Sequence, residues 1–333
     1  MQDAQLVKIE SLSPENLSKI EDLYKDFSSK SYTEYRFEHE PLPFDIFTDV
    51  IKEGAIKGYL LEENSDIKGF LLYVEEEHKA IELNLVYFKD TENEMQRFNT
   101  LVGKFLNDLK SRDDWNVISY PMLGYQDRHV RLTGHLGFKL LGQAVVKFKL
   151  DNLFTYKIFT NLTLPDLPSG YTIDVWQDEY LDSASEVINE SFKNASDAKF
   201  APRFLSLEGS KDIVSKIVTG LFGTFLPDCT HVLKYQGNVV GVCFANVASV
   251  RLANVPLIGI KADHKGKKLG EYLLYMTIAA VIQHIKEGLL PMNEVNAAVE
   301  TDNFAALKMY RKIGFREDYT YPHAYYKNPN FKN

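Results

Sequence analysis

The chain has 333 residues, of which 45% are hydrophobic and 25% charged, with a formal net charge of −8. That is room for two ordinary domains with well-buried cores. The acidic balance argues against a nucleic-acid backbone as partner, because counterion release needs a basic surface. No run is long enough to span a bilayer, and the opening MQDAQLVKIESLSPENL lacks the apolar core of a secretion signal. Cys229 and Cys243 sit in apolar surroundings without metal-ligand spacing. They read as reduced thiols of a cytoplasmic protein with no metal site.

Taken in chain order, the predicted elements occur twice. Each half opens with a short strand (LVKIES; YTIDVW) and a polar-apolar helix (PENLSKIEDLYKDF; DEYLDSASEVINESF). A hairpin follows in each, with a glycine entering its second strand: GYLLEENSDIKGFLLYVEE and HVLKYQGNVVGVCFANVAS. Next come a further strand (AIELNLVYF; VPLIGIKAD), a long helix (ENEMQRFNTLVGKFLNDLKSR; KLGEYLLYMTIAAVIQHIKEG) and a buried strand (WNVISYP; NEVNAAVE). A second helix then ends in a Gly-Phe step, Gly137-Phe138 and Gly314-Phe315. Between the halves, LTLPDLPSG carries two prolines, a serine and a glycine and reads as a linker. The repeat predicts a duplicated α/β (α+β) unit: a first domain over 1–161, a linker over 162–170 and a second domain over 171–333. Residues 1–165 carry 27 acidic and 20 basic side chains and the remainder 19 and 18, so the first half holds nearly all the net charge.

The second half concentrates chemistry-bearing motifs. His264 to Met276, HKGKKLGEYLLYM, sets Lys265, Lys267 and Lys268 between Gly266 and Gly270 and runs directly into a helix. Free backbone N–H groups at a helix start, the positive end of the helix dipole and side-chain-free glycines suit a phosphate; a solvated basic turn is the other reading. Further on, NAAVETDNFAALKMYRKIGFRE spaces Asn303, Ala306, Tyr310, Gly314 and Phe315 as N-x-x-A-x-x-x-Y-x-x-x-G-F. Asp302 or Asn303 can cap this helix, Ala306 and Tyr310 share a face one turn apart, and Gly314 stops it.

With LIGIKADHKGKKLG, this pattern resembles the GNAT superfamily of N-acetyltransferases. In that family a fourth strand runs into an R/Q-x-x-G-x-G/A turn and a helix, and the N…A…Y…GF helix follows. Lys265-Gly266-Lys267-Lys268-Leu269-Gly270 falls on the turn, departing from it at Lys265 and at Lys268, which stands where the first glycine is usual. The resemblance implies two tandem GNAT-like domains, each a mixed, mostly antiparallel sheet flanked by helices. It implies acetyl-CoA as acyl donor, with its pantetheine arm on Ile258, Gly259 and Ile260 and its pyrophosphate on Lys265 to Gly270. Asn303 would then help order the cofactor. In the first half the corresponding turn, FKDTENEMQRF, has no glycine and carries Asp90, Glu92 and Glu94, and Thr133 stands where Tyr310 does. That copy is expected to keep the fold without the donor site.

The implied chemistry is attack of a primary amine on the thioester. Tyr310 is the expected general acid for the leaving thiolate. The candidates for a base are Glu300, which shares a strand face with Ala298, and His323 in DYTYPHAYYKN. The acceptor pocket is expected from Phe192 to Ser210 and from a final hairpin carrying Tyr319, Tyr321, His323 and Tyr325. Small residues such as Gly259 leave room for an acyl chain longer than acetyl. The expected partner is a small-molecule or peptide amine, with no nucleic acid or membrane, and the chain is a monomer or homodimer. A non-catalytic acyl-CoA sensor or docking module is the alternative. An aminoacyl-tRNA-dependent transferase of the same tandem fold is a third reading, against which the retained glycines and the acidic surface speak.

Overall fold

The computed structural model describes residues 7–331 except 38, 39, 165 and 251. Leu6 of the first expected strand and Pro165 of the linker therefore lie outside the described residues. The elements in order are β1 (Val7–Ser11), α1 (Glu21–Lys30), α2 (Phe44–Lys52), β2 (Lys57–Glu63), β3 (Asp66–Glu76), β4 (Ala80–Phe88), α3 (Glu94–Lys110), β5 (Val117–Pro121), α4 (Val130–His135) and β6 (Lys139–Lys149). After α5 (Leu153–Thr160) the order recurs. It runs through β7 (Tyr171–Val175), α6 (Leu181–Phe192), α7 (Leu207–Val218), β8 (Thr224–Phe225), β9 (His231–Tyr235), β10 (Asn238–Cys243), β11 (Asn246–Ser249), β12 (Leu252–Asn254) and β13 (Ile258–Ile260). It closes with α8 (Leu269–Lys286), β14 (Glu294–Glu300), α9 (Phe304–Ile313) and β15 (Arg316–Lys327).

Compactness divides the chain differently from the sequence repeat. One unit comprises residues 1–141 and 321–333, and the other residues 142–320. The reason lies in the last strand of each half. Residues 143–149 of β6 pair antiparallel with β14, Gln143 opposite Glu300 and Lys149 opposite Glu294. Residues 323–327 of β15 pair antiparallel with β5, His323 opposite Pro121 and Lys327 opposite Val117. The expected final hairpin is thus one uninterrupted strand, Arg316–Lys327.

In the first unit β1, β2, β3 and β4 form an antiparallel run, and β4 joins β5 in parallel through Ala80↔Val117 to Glu82↔Ser119. One face packs on α3 through Phe98, Leu101, Phe105 and Trp115, the other on α1 and α2 through Phe27, Phe47 and Phe70. In the second unit β12 pairs in parallel with β14, and β11 and β8 extend that sheet. A second sheet is ordered β13-β10-β9-β7. Its core against α8 and α9 includes Phe148, Leu273, Ile278, Ile313 and Phe315, and the opposite face packs Ile188, Val214 and Phe244 with α6 and α7. Burying each such side chain contributes about 1.5–3 kcal/mol.

The Gly-Phe step recurs because both copies need it. Gly137 and Gly314 sit at φ 96° and 122°, where an L side chain is strained, and the phenylalanine after each is buried. Helices α2, α5 and α7 have no counterpart among the predicted elements. Two of the three carry a side-chain cap that the sequence displays: Asn152 accepts from Phe154 and Thr155 N–H, and Ser206 from Gly209 N–H. Among the described residues no helix is long and apolar enough to cross a membrane.

Candidate active site

The second unit opens a gap between β13 and β14. Strands β12 and β14 run together as far as the bond from Val255 N–H to Asn296 O, 2.9 Å. Pro256 follows, has no N–H to continue the ladder, and the chain turns away. Strand β13 then pairs only with β10, Ile258 opposite Cys243 and Ile260 opposite Gly241. Phe244 N–H donates to Leu257 O and Lys261 N–H to Val240 O, so by alternation the N–H groups of Ile258 and Ile260 face the vacated edge. Ser191 Oγ on α6 donates to Ile260 O. A Cβ on Gly259 would come within 2.8 Å of that Oγ and 3.2 Å of Ile188. The room at Gly259 is therefore taken up by α6, and the expectation that it leaves space for a longer acyl chain is corrected.

The basic turn ends on the N-terminus of α8. Gly266 (φ 79°) and Lys268 (φ 60°) both take left-handed backbone conformations. Lys268 thus stands in a conformation that glycine adopts without steric cost, which explains why glycine is usual at this position. Among the described residues, the amides of Gly266, Lys267, Lys268, Leu269 and Gly270 donate to no backbone acceptor, whereas those of Lys265 and Glu271 bond Ala262 O and Lys268 O. Five unpartnered donors at a helix start fit a phosphate. A Cβ on Gly270 would lie 3.0 Å from Met309 Sδ, so glycine there allows α8 to approach α9. The three lysines differ. All three are exposed, but Lys267 donates to Tyr171 Oη at 3.1 Å, and that hydroxyl also meets His264 Nδ1 at 2.7 Å.

Tyr310 lies on α9, 3% exposed, edge-on to Phe315 at 5.1 Å. Burial, with a smaller contribution from the Cys243 thiol, raises its pKa, so the phenol keeps its proton. Cys243 pairs with Ile258, which sets the tyrosine beneath the splayed strand. Asn303 caps α9, accepting from Ala306 N–H at 3.1 Å. Cys229 and Cys243 are free and buried, which pushes both thiols up to about 12.

Of the two expected bases, only Glu300 belongs to this unit's gap. On β14, Val295, Ala297 and Val299 face the α8–α9 core, leaving Asn296, Ala298 and Glu300 on the other face. Glu300 is 7% exposed, and burial followed by the nearby Asp197 carboxyl raises its pKa to about 7. Asp197, in the turn after α6, is hydrogen-bonded to it and raised by its own burial. His323 belongs to the other unit: it faces Pro121 on β5, shares a 2.7 Å hydrogen bond with Ser119 Oγ, and burial lowers its pKa to about 4. Tyr321 and Tyr325 lie in that unit too, so the Tyr-rich wall expected for the pocket is corrected; Tyr319 alone stays in the second unit. The Phe192 to Ser210 stretch does reach Glu300, through Asp197.

The first unit fills the same places with its own side chains. Val86 is the counterpart of Ile258 in the register that aligns Gly69 with Gly241. Its N–H donates to Gln126 Oε1 at 3.0 Å, and that oxygen also accepts from Tyr120 Oη at 3.1 Å. Gln126 Nε2 reaches Asn84 O at 3.3 Å, and the residue is fully buried. At the turn, Asp90 accepts from Glu92 N–H at 3.0 Å and from Arg97 at 2.6 Å, and Arg97 is also clasped by Glu63. Burial opposes the Asp90 charge, but the Arg97 and Glu92 bonds outweigh it and hold the carboxyl below its usual range. Gln126 and Asp197 escaped the sequence reading because neither lies in a motif; only their partners across the fold give them a role.

With this geometry in view, the comparisons fall into place. Residues 207–315 match the model of the acetyltransferase (GNAT) family. No curated protein matches the sequence. Two solved structures resemble almost the whole chain: a GCN5-related N-acetyltransferase from Sphaerobacter thermophilus and a tandem GNAT protein from the clavulanic acid biosynthesis pathway. The first has a TM-score of 0.63 at 11% identity over 98% of each chain, the second 0.62 at 12% over 97% of this chain and 99% of the other. A glucosamine N-acetyltransferase region of a fungal multi-domain β-N-acetylglucosaminidase has a TM-score of 0.64 at 10% identity, covering 98% of this chain and 38% of that one. Residues 207–315 thus match the acetyltransferase (GNAT) family model, and the chain as a whole has the fold of a tandem GNAT protein.

Proposed function

We propose that the second unit transfers an acetyl group from acetyl-CoA to a primary amine, and that the first unit holds no donor. The observation that carries this reading is a contrast: Ile258 N–H faces the edge away from β10 and five turn amides donate to no backbone acceptor among the described residues, whereas in the first unit Gln126 takes up Val86 N–H and Asp90 occupies the turn. The turn amides, with Lys265 and Lys268 beside them, would hold the pyrophosphate; the open edge at Ile258 and Ile260 would hold the pantetheine arm. When bound, the donor supplies a thioester carbonyl open to a nucleophile. Ile258 N–H then has the direction to donate to the oxygen as it gains charge. Glu300, with a pKa of about 7, can receive the proton of the incoming ammonium. Tyr310 keeps a proton that it can hand to the departing sulfur.

Calorimetric titration with acetyl-CoA tests the reading. One donor is expected per chain, and Lys265→Glu with Lys268→Glu should weaken it by more than about tenfold, since each reversal sets a like charge at the anion. Two donors per chain would overturn the assignment of the first unit. No binding at all would overturn the acetyltransferase, and binding with no turnover on any amine would leave the sensor reading in its place.

A further inference from the structure

On the face of the second unit away from α8 and α9, the sheet carries a row of asparagines. Asn246 on β11 stands opposite Asn254 on β12, and Asn254 is in register with Asn296 on β14. Residues paired across strands share a face. The flanking Ala245, Ala253, Val255, Val295 and Ala297 all belong to the α8–α9 core, so the asparagines point the other way. Asn246 is completely buried; its Nδ2 donates to Phe222 O at 2.6 Å, which fixes the amide, and its Oδ1 has no partner among the described residues. Asn296 Oδ1 and Glu300 Oε1 are likewise buried without a hydrogen-bond partner among the described residues. An unpaired buried acceptor costs about 1–3 kcal/mol, so three along one strip point to a ligand that satisfies them.

Their chemistry is uniform, since all three are oxygen acceptors. The neighbouring cation, Lys147 opposite Asn296, is already paired with Glu294 and Asp318. Between Asn296 and Glu300 the floor is the exposed Ala298. Four residues of strand separate the two polar ends by about 13 Å. Subtracting a hydrogen bond of about 2.8 Å at each end leaves a body roughly 7 Å long.

We infer that this strip is the acceptor subsite and that it selects a primary amine carrying hydroxyl groups and no carboxylate, with an amino-polyol body of about that length. The ammonium lies toward Glu300 and Asp197, and a hydroxyl at the far end donates to Asn296 Oδ1. An alkylamine leaves that oxygen unpaired, and an amino acid sets its carboxylate against an orphaned acceptor. This inference rests on the acetyltransferase reading, from which its test is kept separate.

Three probes are compared, a 2-amino-2-deoxyhexose, hexylamine and 6-aminohexanoate, by thiol release from acetyl-CoA. The aminohexose is expected to have the highest kcat/KM and the aminohexanoate the lowest. Asn296→Leu should cut kcat/KM for the aminohexose by at least about tenfold, narrow its lead over hexylamine by a similar factor, and leave acetyl-CoA binding unchanged. Asn296→Asp, which keeps the shape, should tolerate the aminohexose and reject the aminohexanoate further. Preference for hexylamine or aminohexanoate, or a preference that Asn296→Leu leaves intact, overturns the proposal. If acetyl-CoA does not bind, the donor reading has failed, and the subsite is judged by titrating the protein alone with the aminohexose. Binding lost in Asn296→Leu upholds the subsite, and no binding removes it.

Discussion

Glu300 shows how a single side chain acquires chemistry from its surroundings. A glutamate at the end of a strand is ordinary in the sequence, and alternation alone puts it on the face of Ala298. Burial and the Asp197 carboxyl, which come from tertiary packing, raise its pKa to about 7. Because the folded-state value lies above the unfolded one, its stabilising contribution is full below the ordinary carboxyl range and is lost as pH rises through about 7. Glu300→Gln should therefore melt higher than the parent at pH 8 and with it at pH 4, as differential scanning calorimetry would read. The same substitution should abolish the ionisation near pH 7 in the kcat/KM profile. Tyr310→Phe is expected to lower kcat by about 10²-fold and leave acetyl-CoA affinity unchanged, measured by steady-state kinetics beside calorimetry. His323 marks the limit of reading such residues from type alone. Its ordinary pKa suits a base, yet the strand that carries it leads into the other unit, where it is buried against Ser119.

At the scale of elements, the two copies are one design with the gap between the fourth and fifth strands used differently. In the second copy Pro256 ends the parallel ladder and β13 leaves with an open edge. In the first, β4 continues as one strand to Phe88 and the Gln126 amide bonds Val86, Asn84 and Tyr120. Gln126→Ala would leave those three groups buried and unpaired, with an expected loss of about 2–4 kcal/mol in urea unfolding. It should not create a second donor site, because Asp90 and Arg97 still hold the turn. The glycine-and-lysine turn, the Tyr helix and the order of elements were legible because each is local: spacing along a helix, a glycine at a stop, alternation along a strand. The helices α2, α5 and α7 were missed because their apolar faces gain meaning only against the sheets.

For the whole molecule, the division of the chain into units has a consequence for its folding. Each half contributes its last strand to the other unit: residues 323–327 complete the sheet at β5, and residues 143–149 lie against β14, with Ala144, Val146 and Phe148 in that unit's core. A fragment of residues 1–161 therefore lacks the strand that covers β5, and a fragment of 171–333 lacks the one that covers β14. Neither is expected to give a dispersed amide spectrum by NMR alone, whereas the two co-expressed should recover the cooperative melting of the full chain. Duplication and the family resemblance followed from the sequence, since repeats and motif spacings are properties of neighbouring residues. Which unit each final strand joins, which carboxyl meets Glu300 and which side chain fills the first gap required the tertiary structure. Those are pairings between residues far apart in the chain, and registers between distant strands leave no periodicity in either partner to read.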